Sequence, residues 1–293
     1  MNYLQKNDRI VLTEVDSFDI TQILECGQCF RYYRIEENLY SIVAHDRVLY
    51  IKQEANTVEL YPCTETEFKN IWSIYFDLER DYSQIKKEII KDDAILEEAV
   101  AFAPGIRLLN QNTYECLISF IISQNNGIPR IRQVIENLSE TFGEKINDPY
   151  GSSYYTFPTV EALNCASIDE IMACKTGFRA KYIKDACAKI VSGEISISEL
   201  EQMSEADARD KLVSIYGVGQ KVADCVLLLS LGKYHAFPTD VWIKRVMEEF
   251  YFDSKKTPVR QIHVFADKKW KENSGFAQQY LFHYAKEKKI GKN

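Results

Sequence analysis

The first 62 residues carry their apolar side chains in short, nearly alternating runs, over Arg9–Val15, Cys29–Ile35, Leu39–Ala44, Val48–Gln53 and Thr57–Tyr61. These runs are rich in Val, Ile, Tyr and Phe, and Glu36-Glu37-Asn38 and His45-Asp46 separate them as turns, so an antiparallel meander is predicted. The period then becomes helical. Phe68, Ile71, Trp72 and Tyr75 share one face of Glu65–Leu78, and a second helical spacing covers Tyr82–Lys91. Both helices are expected to lie over one side of the sheet.

Beyond Pro104 the pattern is helical throughout. Thr113–Ser123 is apolar apart from Glu115, which predicts a central buried helix stopped by Gln124-Asn125-Asn126-Gly127. Pro129 takes the first position of a helix to Phe142, with Gly143 past its end. Ser167 and Glu170 cap a short helix that ends at Gly177, and Arg179–Ser192 follows, closed by Gly193. Thr257 should cap Pro258–Trp270, and Phe276–Lys288 is the last helix. The fold class is therefore α+β. An N-terminal antiparallel β-sheet domain with covering helices takes residues 1–103, and an all-helical domain takes 104–293, divided near Ala103-Pro104-Gly105.

The chemistry concentrates in Leu212–Arg245. Ser204 and Asp207 give a capping-box start to a helix that ends at Gly217. Gly217-Val218-Gly219 permits positive φ and close backbone approach, and the N–H groups after it open the next helix, where a phosphate binds best. On that helix Lys221 and Cys225 are four apart and share a face, while Val222, Val226, Leu228 and Leu229 supply the core. A nucleophilic amine must be free of its proton, and burial at the positive pole of a helix favours that form. Phe237-Pro238-Thr239-Asp240 reads as an extended segment running into an N-cap. Asp240 should hold the helix Val241–Phe250 and turn its carboxylate toward Lys221.

At 293 residues, 46% apolar and 12% aromatic, the chain can bury a full core. Its net charge of −7 argues against a nucleic-acid partner until that charge is divided along the chain. Residues 204–293 hold 16 Lys and Arg against 11 Asp and Glu, a net of +5, which leaves −12 on residues 1–203. A basic C-terminal third can face DNA while the acidic remainder faces water. No run of about 18 apolar residues occurs, and MNYLQKNDR lacks the cationic-then-apolar pattern of an export signal. A cytoplasmic protein with no membrane partner is expected. Eight irregularly spaced Cys fit reduced thiols, and Cys26-Gly27-Gln28-Cys29 without a second pair predicts no metal.

The glycine hairpin, Lys221 two residues after it and Asp240 beyond Pro238 together resemble the helix-hairpin-helix-Gly/Pro-Asp superfamily of DNA glycosylases. The lysine is similar to that of the branch with lyase activity. Within the superfamily the chain resembles 8-oxoguanine DNA glycosylases of the OGG type, through CGQCFRY at 26–32, SQNNGIPRI at 123–131, GFRAKY at 177–182 and GFAQQYLF at 275–282. The resemblance implies that a lesion base is flipped out of the duplex and read in a pocket. There Gly27 would aim its carbonyl at the N7 proton that 8-oxoguanine has and guanine lacks. Phe282 and Cys225 would sandwich the base and Gln278 bond its Watson–Crick edge, with Pro238 and Trp242 completing the pocket.

The same resemblance makes Lys221 the nucleophile and Asp240 the stabiliser of positive charge. Asn125, Arg130 and Arg179 correspond to readers of the opposite cytosine, and Phe178 to the wedge that fills the emptied stack. Gly217, Gly219, Val222, Lys244 and Arg245 correspond to the phosphate contacts. No cofactor is implied, and the partner is double-stranded DNA containing oxidised guanine, bound by a monomer. No Cys follows Cys225, which excludes the iron–sulfur cluster of endonuclease III relatives. Three departures stand out: Phe178 replaces the Tyr of the eukaryotic members, Trp242 a His, and Thr239 an apolar residue. A looser preference for the opposite base is expected from them. The residues alone leave open a non-enzymatic hairpin module, which would need neither Lys221 nor Asp240. An alkylated-base glycosylase shares the Asp and typically lacks the Lys.

Overall fold

In the computed structural model, which describes residues 1–290, six antiparallel strands form one sheet. They are β1 Asn2–Lys6, β2 Arg9–Thr13, β3 Tyr32–Glu36, β4 Leu39–Ala44, β5 Arg47–Glu54 and β6 Thr57–Tyr61, in the order β1-β2-β6-β5-β4-β3. Strands β3 to β6 form a meander as expected, but β2, expected as its first strand, pairs with β6 and not with β3. The β1–β2 hairpin extends it at β6, with Ile10 opposite Leu60 and Leu12 opposite Val58. All five residues of β1 are exposed and no burial alternation marks the strand; its pairing with β2 is joined by the Tyr3 ring against Phe68 at 4.8 Å and by Gln5, which accepts the Glu65 N–H at 2.8 Å. The sheet region also contains a helix, Ile20–Glu25, which Asp19 caps by accepting the Gln22 N–H at 2.9 Å.

One face of the sheet buries Ile10, Leu12, Tyr40, Leu49, Ile51 and Leu60 against Phe68, Trp72, Tyr75 and Phe76. The covering helix runs as Glu65–Glu67, a π-bonded stretch Phe68–Trp72, and Ser73–Tyr75. The opposite face packs Val43, Val48, Tyr50 and Tyr61 on Tyr154, from a small ribbon of Lys145–Ile146 and Tyr154–Tyr155. The helix Tyr82–Ile89 departs from expectation. Its Tyr82, Ile85 and Ile89 enter the helical core with Ala94–Phe102 rather than covering the sheet. Tyr82 explains the difference: its ring meets Phe276 edge-on at 5.6 Å and its hydroxyl accepts the Leu108 N–H at 2.9 Å, both on the helical side.

The helical core is built on Thr113–Ser123, of which eight residues are buried, packed on Gln220–Ser230, buried from Val222 to Leu229. Several helix ends differ from the sequence reading. Ile128–Phe142 starts one residue before Pro129, so the proline takes the second position, where its missing N–H is equally harmless. Ile168–Ala173 has the expected Ser167–Glu170 capping box but stops before Gly177, which opens a single 3₁₀ turn, Gly177–Arg179, ahead of Ala180–Val191. Ser204 completes half a box. Its hydroxyl accepts the Asp207 N–H at 3.2 Å, and its proton goes to the Asp207 carboxylate at 2.6 Å. Thr257 caps nothing: it donates to the Lys255 carbonyl, and Val259–Trp270 begins from Pro258. Among the described residues no helix is long and apolar enough to cross a membrane.

The Cys26–Cys29 loop is the seam between the two cores. Cys26 belongs to the helical core and Cys29 to the sheet core. Buried Gln28 pins the loop by donating to the Ile23 and Arg107 carbonyls, both at 2.8 Å, and accepting the Leu109 N–H at 2.9 Å.

Candidate active site

The glycine hairpin joins Glu205–Val213 to Gln220–Ser230. Gly217 sits at φ +81, and a Cβ there would lie 2.3 Å from the Tyr182 ring, so both backbone conformation and space demand glycine. Gly219 is the N-cap and offers no side chain, which leaves the first N–H groups of the helix for an anion. Val222 is buried, and its N–H donates to the Gly219 carbonyl at 3.1 Å. The Val222 N–H, expected among the phosphate contacts, is therefore already engaged in this state, as is the Val218 N–H with the Ile215 carbonyl at 3.0 Å.

Lys221, in the first turn, extends over the Phe120 ring at 5.0 Å and donates to Ser123 Oγ at 3.4 Å. Asp240 is the N-cap of Val241–Tyr251, as its place after Pro238 predicts. Its Oδ1 accepts the Trp242 and Ile243 N–H groups, each at 2.9 Å. Burial pushes the Asp240 carboxyl above the usual carboxylate range, against the opposing pull of the Ile243 N–H, the Lys221 charge and the Trp242 N–H.

Both side chains open onto a cavity of about 350 Å³, which Gly27, Cys225, Pro238, Trp242, Gln278 and Phe282 also line. Each residue expected in the pocket is thus brought to one place. Gln278 and Phe282 are one turn apart on Ser274–Lys288, and the Gln278 amide donates to the Pro238 carbonyl at 3.1 Å. Gly27 sits at φ +87, with room for no Cβ because the Phe282 ring would be 2.9 Å away. The last helix fixes the loop before it: Gln279 donates to the Cys26 carbonyl at 3.0 Å and Lys286 to the Glu25 carbonyl at 3.4 Å. Burial pushes the Cys225 thiol up to about 11, so it meets a ligand uncharged at neutral pH.

Residues 118–272, more than half of the chain, match the HhH-GPD superfamily of base excision DNA repair proteins, and residues 10–117 match the 8-oxoguanine DNA glycosylase N-terminal domain. The chain is an OGG-type glycosylase of the HhH-GPD superfamily. It is 41% identical to the Clostridium acetobutylicum 8-oxoguanine glycosylase/lyase solved with double-stranded DNA containing cytosine opposite 8-oxoguanine, over 99% of each chain, with a TM-score of 0.95. Against MBOgg1 bound to a low-affinity DNA ligand it is 47% identical over 98% of this chain and 99% of that one, again at 0.95. The N-glycosylase/DNA lyase of Saccharomyces cerevisiae is 28% identical, over 90% of this chain and 82% of its own.

Around the mouth of the glycosylase's cavity, two loops brace each other. Arg179 donates to the Gln124 carbonyl at 2.9 Å and the Asn125 carbonyl at 3.1 Å, and also to Thr176, while Arg130 reaches the Lys175 carbonyl at 3.5 Å. Asn125, at φ +50, and Arg130 are exposed, whereas Arg179 is buried by these contacts. Phe178 is 52% exposed, with its ring 5.7 Å from Tyr182 and the Arg179 guanidinium 4.4 Å above it. Lys244 pairs with Glu248 at 3.8 Å, and Arg245 lies 5.5 Å over the Trp242 ring.

Sequence reasoning passed over Phe120, Ser123, Gln279 and Lys286, which also line the cavity. Lys286 had a signal, since it follows Phe282 by one helical turn on the same face. Phe120 had none, because it sits among apolar neighbours that are all core. The paired cysteines are inert: burial drives Cys26 to about 12 and Cys29 well above its ordinary value, and both are free. No cluster able to hold a metal occurs among the described residues.

Proposed function

We propose that this glycosylase excises 8-oxoguanine paired with cytosine from double-stranded DNA and then cleaves the strand, with Lys221 as nucleophile and Asp240 as its electrostatic partner. The observation that carries the reading is that Lys221 and Asp240 open onto one base-sized cavity whose other walls are Gly27, Cys225, Gln278 and Phe282. The flipped base enters between Phe282 and Cys225, where the Gly27 carbonyl accepts the N7 proton of the lesion and repels the N7 lone pair of guanine. The Lys221 amine forms a bond to C1′ as the N-glycosidic bond breaks and the base departs with that electron pair. Asp240 stabilises the positive charge that builds on the sugar. Loss of the O4′ bond gives a Schiff base, a C2′ proton is then removed, and the 3′ phosphate leaves by β-elimination.

Outside the pocket, Phe178 fills the emptied stack and Asn125, Arg130 and Arg179 read the cytosine left behind, Arg179 by exchanging its loop carbonyls for the base. The hairpin N–H groups at Gly217 and Gly219, with Lys244 and Arg245, hold the backbone. One copy of the chain supplies every residue named, so a monomer suffices. Eight free cysteines fit a reducing cytoplasm.

The test is incubation with an 8-oxoguanine:cytosine duplex in the presence of borohydride. The wild type should form a covalent protein–DNA adduct, and Lys221→Gln should form none while still binding the lesion duplex. Adduct formation by Lys221→Gln at the wild-type level would remove Lys221 from this role.

A further inference from the structure

Directly behind the catalytic pair lies a side chain that neither the hairpin nor the pocket explains. His263, on Val259–Trp270, places Nδ1 3.0 Å from the Gln220 amide nitrogen and Nε2 2.9 Å from Thr239 Oγ1. Gln220 immediately precedes Lys221, and Thr239 immediately precedes Asp240. One imidazole therefore joins the residue before the amine to the residue before the carboxylate, across two elements with no sequence continuity.

With the Gln220 amide nitrogen facing Nδ1, Nδ1 accepts and the ring proton sits on Nε2. That proton goes to Thr239 Oγ1, whose own proton goes to the Phe237 carbonyl at 3.1 Å. The chain of donors runs in one direction from Gln220 to Phe237 and ends on the extended segment that carries Asp240. Burial keeps His263 below its ordinary pKa. The Asp224 and Glu205 carboxylates oppose this, and Arg209 reinforces it. The Phe237 ring meets the imidazole edge-on at 6.3 Å.

We propose that His263, bridging Gln220 and Thr239, is a positioning residue that sets the distance between Lys221 and Asp240. The inference rests on the roles given to those two residues above. Without the bridge, Asp240 would still cap its helix through its own carboxylate, but the 237–240 segment would lose its tie to the start of the lysine's helix. A shift of about 1 Å between the reacting groups costs on the order of a hundredfold in rate.

Two variants test it. Thr239→Val removes one hydrogen bond at nearly constant volume, and His263→Phe removes both while keeping a ring against Phe237. Melting temperature, equilibrium affinity for a lesion duplex and single-turnover base release are measured for each variant and for the pair. Both should slow base release tenfold or more, with affinity within threefold and melting within a few degrees of wild type. The double variant should be no slower than the slower single one, because both break the same bridge. Release within twofold of wild type in both variants would overturn the proposal, as would losses that multiply in the double variant. Borohydride trapping by Lys221→Gln at the wild-type level would instead overturn the catalytic assignment beneath it.

Discussion

Glu115 is the single charged residue of the buried helix Thr113–Ser123, and its position shows how much one side chain can decide. Its carboxylate lies 3.9 Å from Arg31, which Glu136 approaches at the same distance from another side. Burial raises the Glu115 carboxyl from 4.5 to about 7. Arg31 opposes the rise, and Asp46 and Glu136 add to it. Because the folded form holds a proton that the unfolded chain has released, stability falls as pH rises from about 4.5 to about 7. Glu115→Gln keeps the neutral shape and removes this dependence. Relative to wild type it should therefore gain stability between pH 5 and pH 8, on the order of 2 kcal/mol, as read from denaturant melts at the two pH values. A constant difference across that range would show that Arg31 holds Glu115 ionised throughout. At this scale the sequence was most legible where local rules speak. Gly217, Lys221, Pro238 and Asp240 each carry a conformational or chemical reason at a fixed spacing. Gln279 does not, since it acts on the Cys26 carbonyl 253 residues away.

The helix Val241–Tyr251 ties its cap to the proposed chemistry through one carboxylate, because Asp240 accepts its first N–H groups and lines the cavity together with Lys221. The two duties separate by substitution. Asp240→Asn retains an oxygen for the cap and loses the charge, so base release should fall about a hundredfold with little change in melting. Asp240→Ala loses both and should cost about 1 kcal/mol more in stability, a drop of roughly 2–4 °C. Equal melting temperatures for the two would leave Asp240 with a catalytic role and no capping role. Elements such as this one were legible because a cap and a period coincide. Strand β1 had neither, being exposed along its whole length, and Val160–Cys165 and Ile197–Gln202 are too short to establish a period. Tyr82–Ile89 was legible as a helix. Its partner was not, because an apolar face says that something covers it and not what.

Across the whole molecule the question is how a protein with a net charge of −7 holds a polyanion. The +5 carried by residues 204–293 includes both the hairpin and the helix with Lys244 and Arg245, so attraction is local and the acidic remainder limits it. Two of the nearby cations are already engaged: Lys244 with Glu248 and Arg245 over Trp242. Backbone N–H groups at the hairpin neutralise no phosphate, since they carry no net charge. Few counterions are then released, and log affinity should fall with log salt at a slope of magnitude roughly 2–4, gentler than for a protein that neutralises six to ten phosphates. The two arginines at the cavity mouth belong to a different account. Arg130 and Arg179 brace the loops at 124–125 and 175–176, next to the exposed Phe178, and in the proposed complex the unpaired cytosine offers them N3 and O2 as acceptors. Arg130→Ala and Arg179→Ala should leave the salt slope nearly unchanged and reduce the preference for cytosine over the other three opposite bases by tenfold or more, because a lost base contact is worth about 1–3 kcal/mol. Arg179→Ala should also lower stability, since it frees three backbone carbonyls that Arg130 does not touch. Salt titrations on duplexes with the lesion opposite each base measure both quantities at once. A steep slope that flattens in the arginine variants, with opposite-base preference intact, would make these side chains phosphate contacts and would move the reading of cytosine elsewhere.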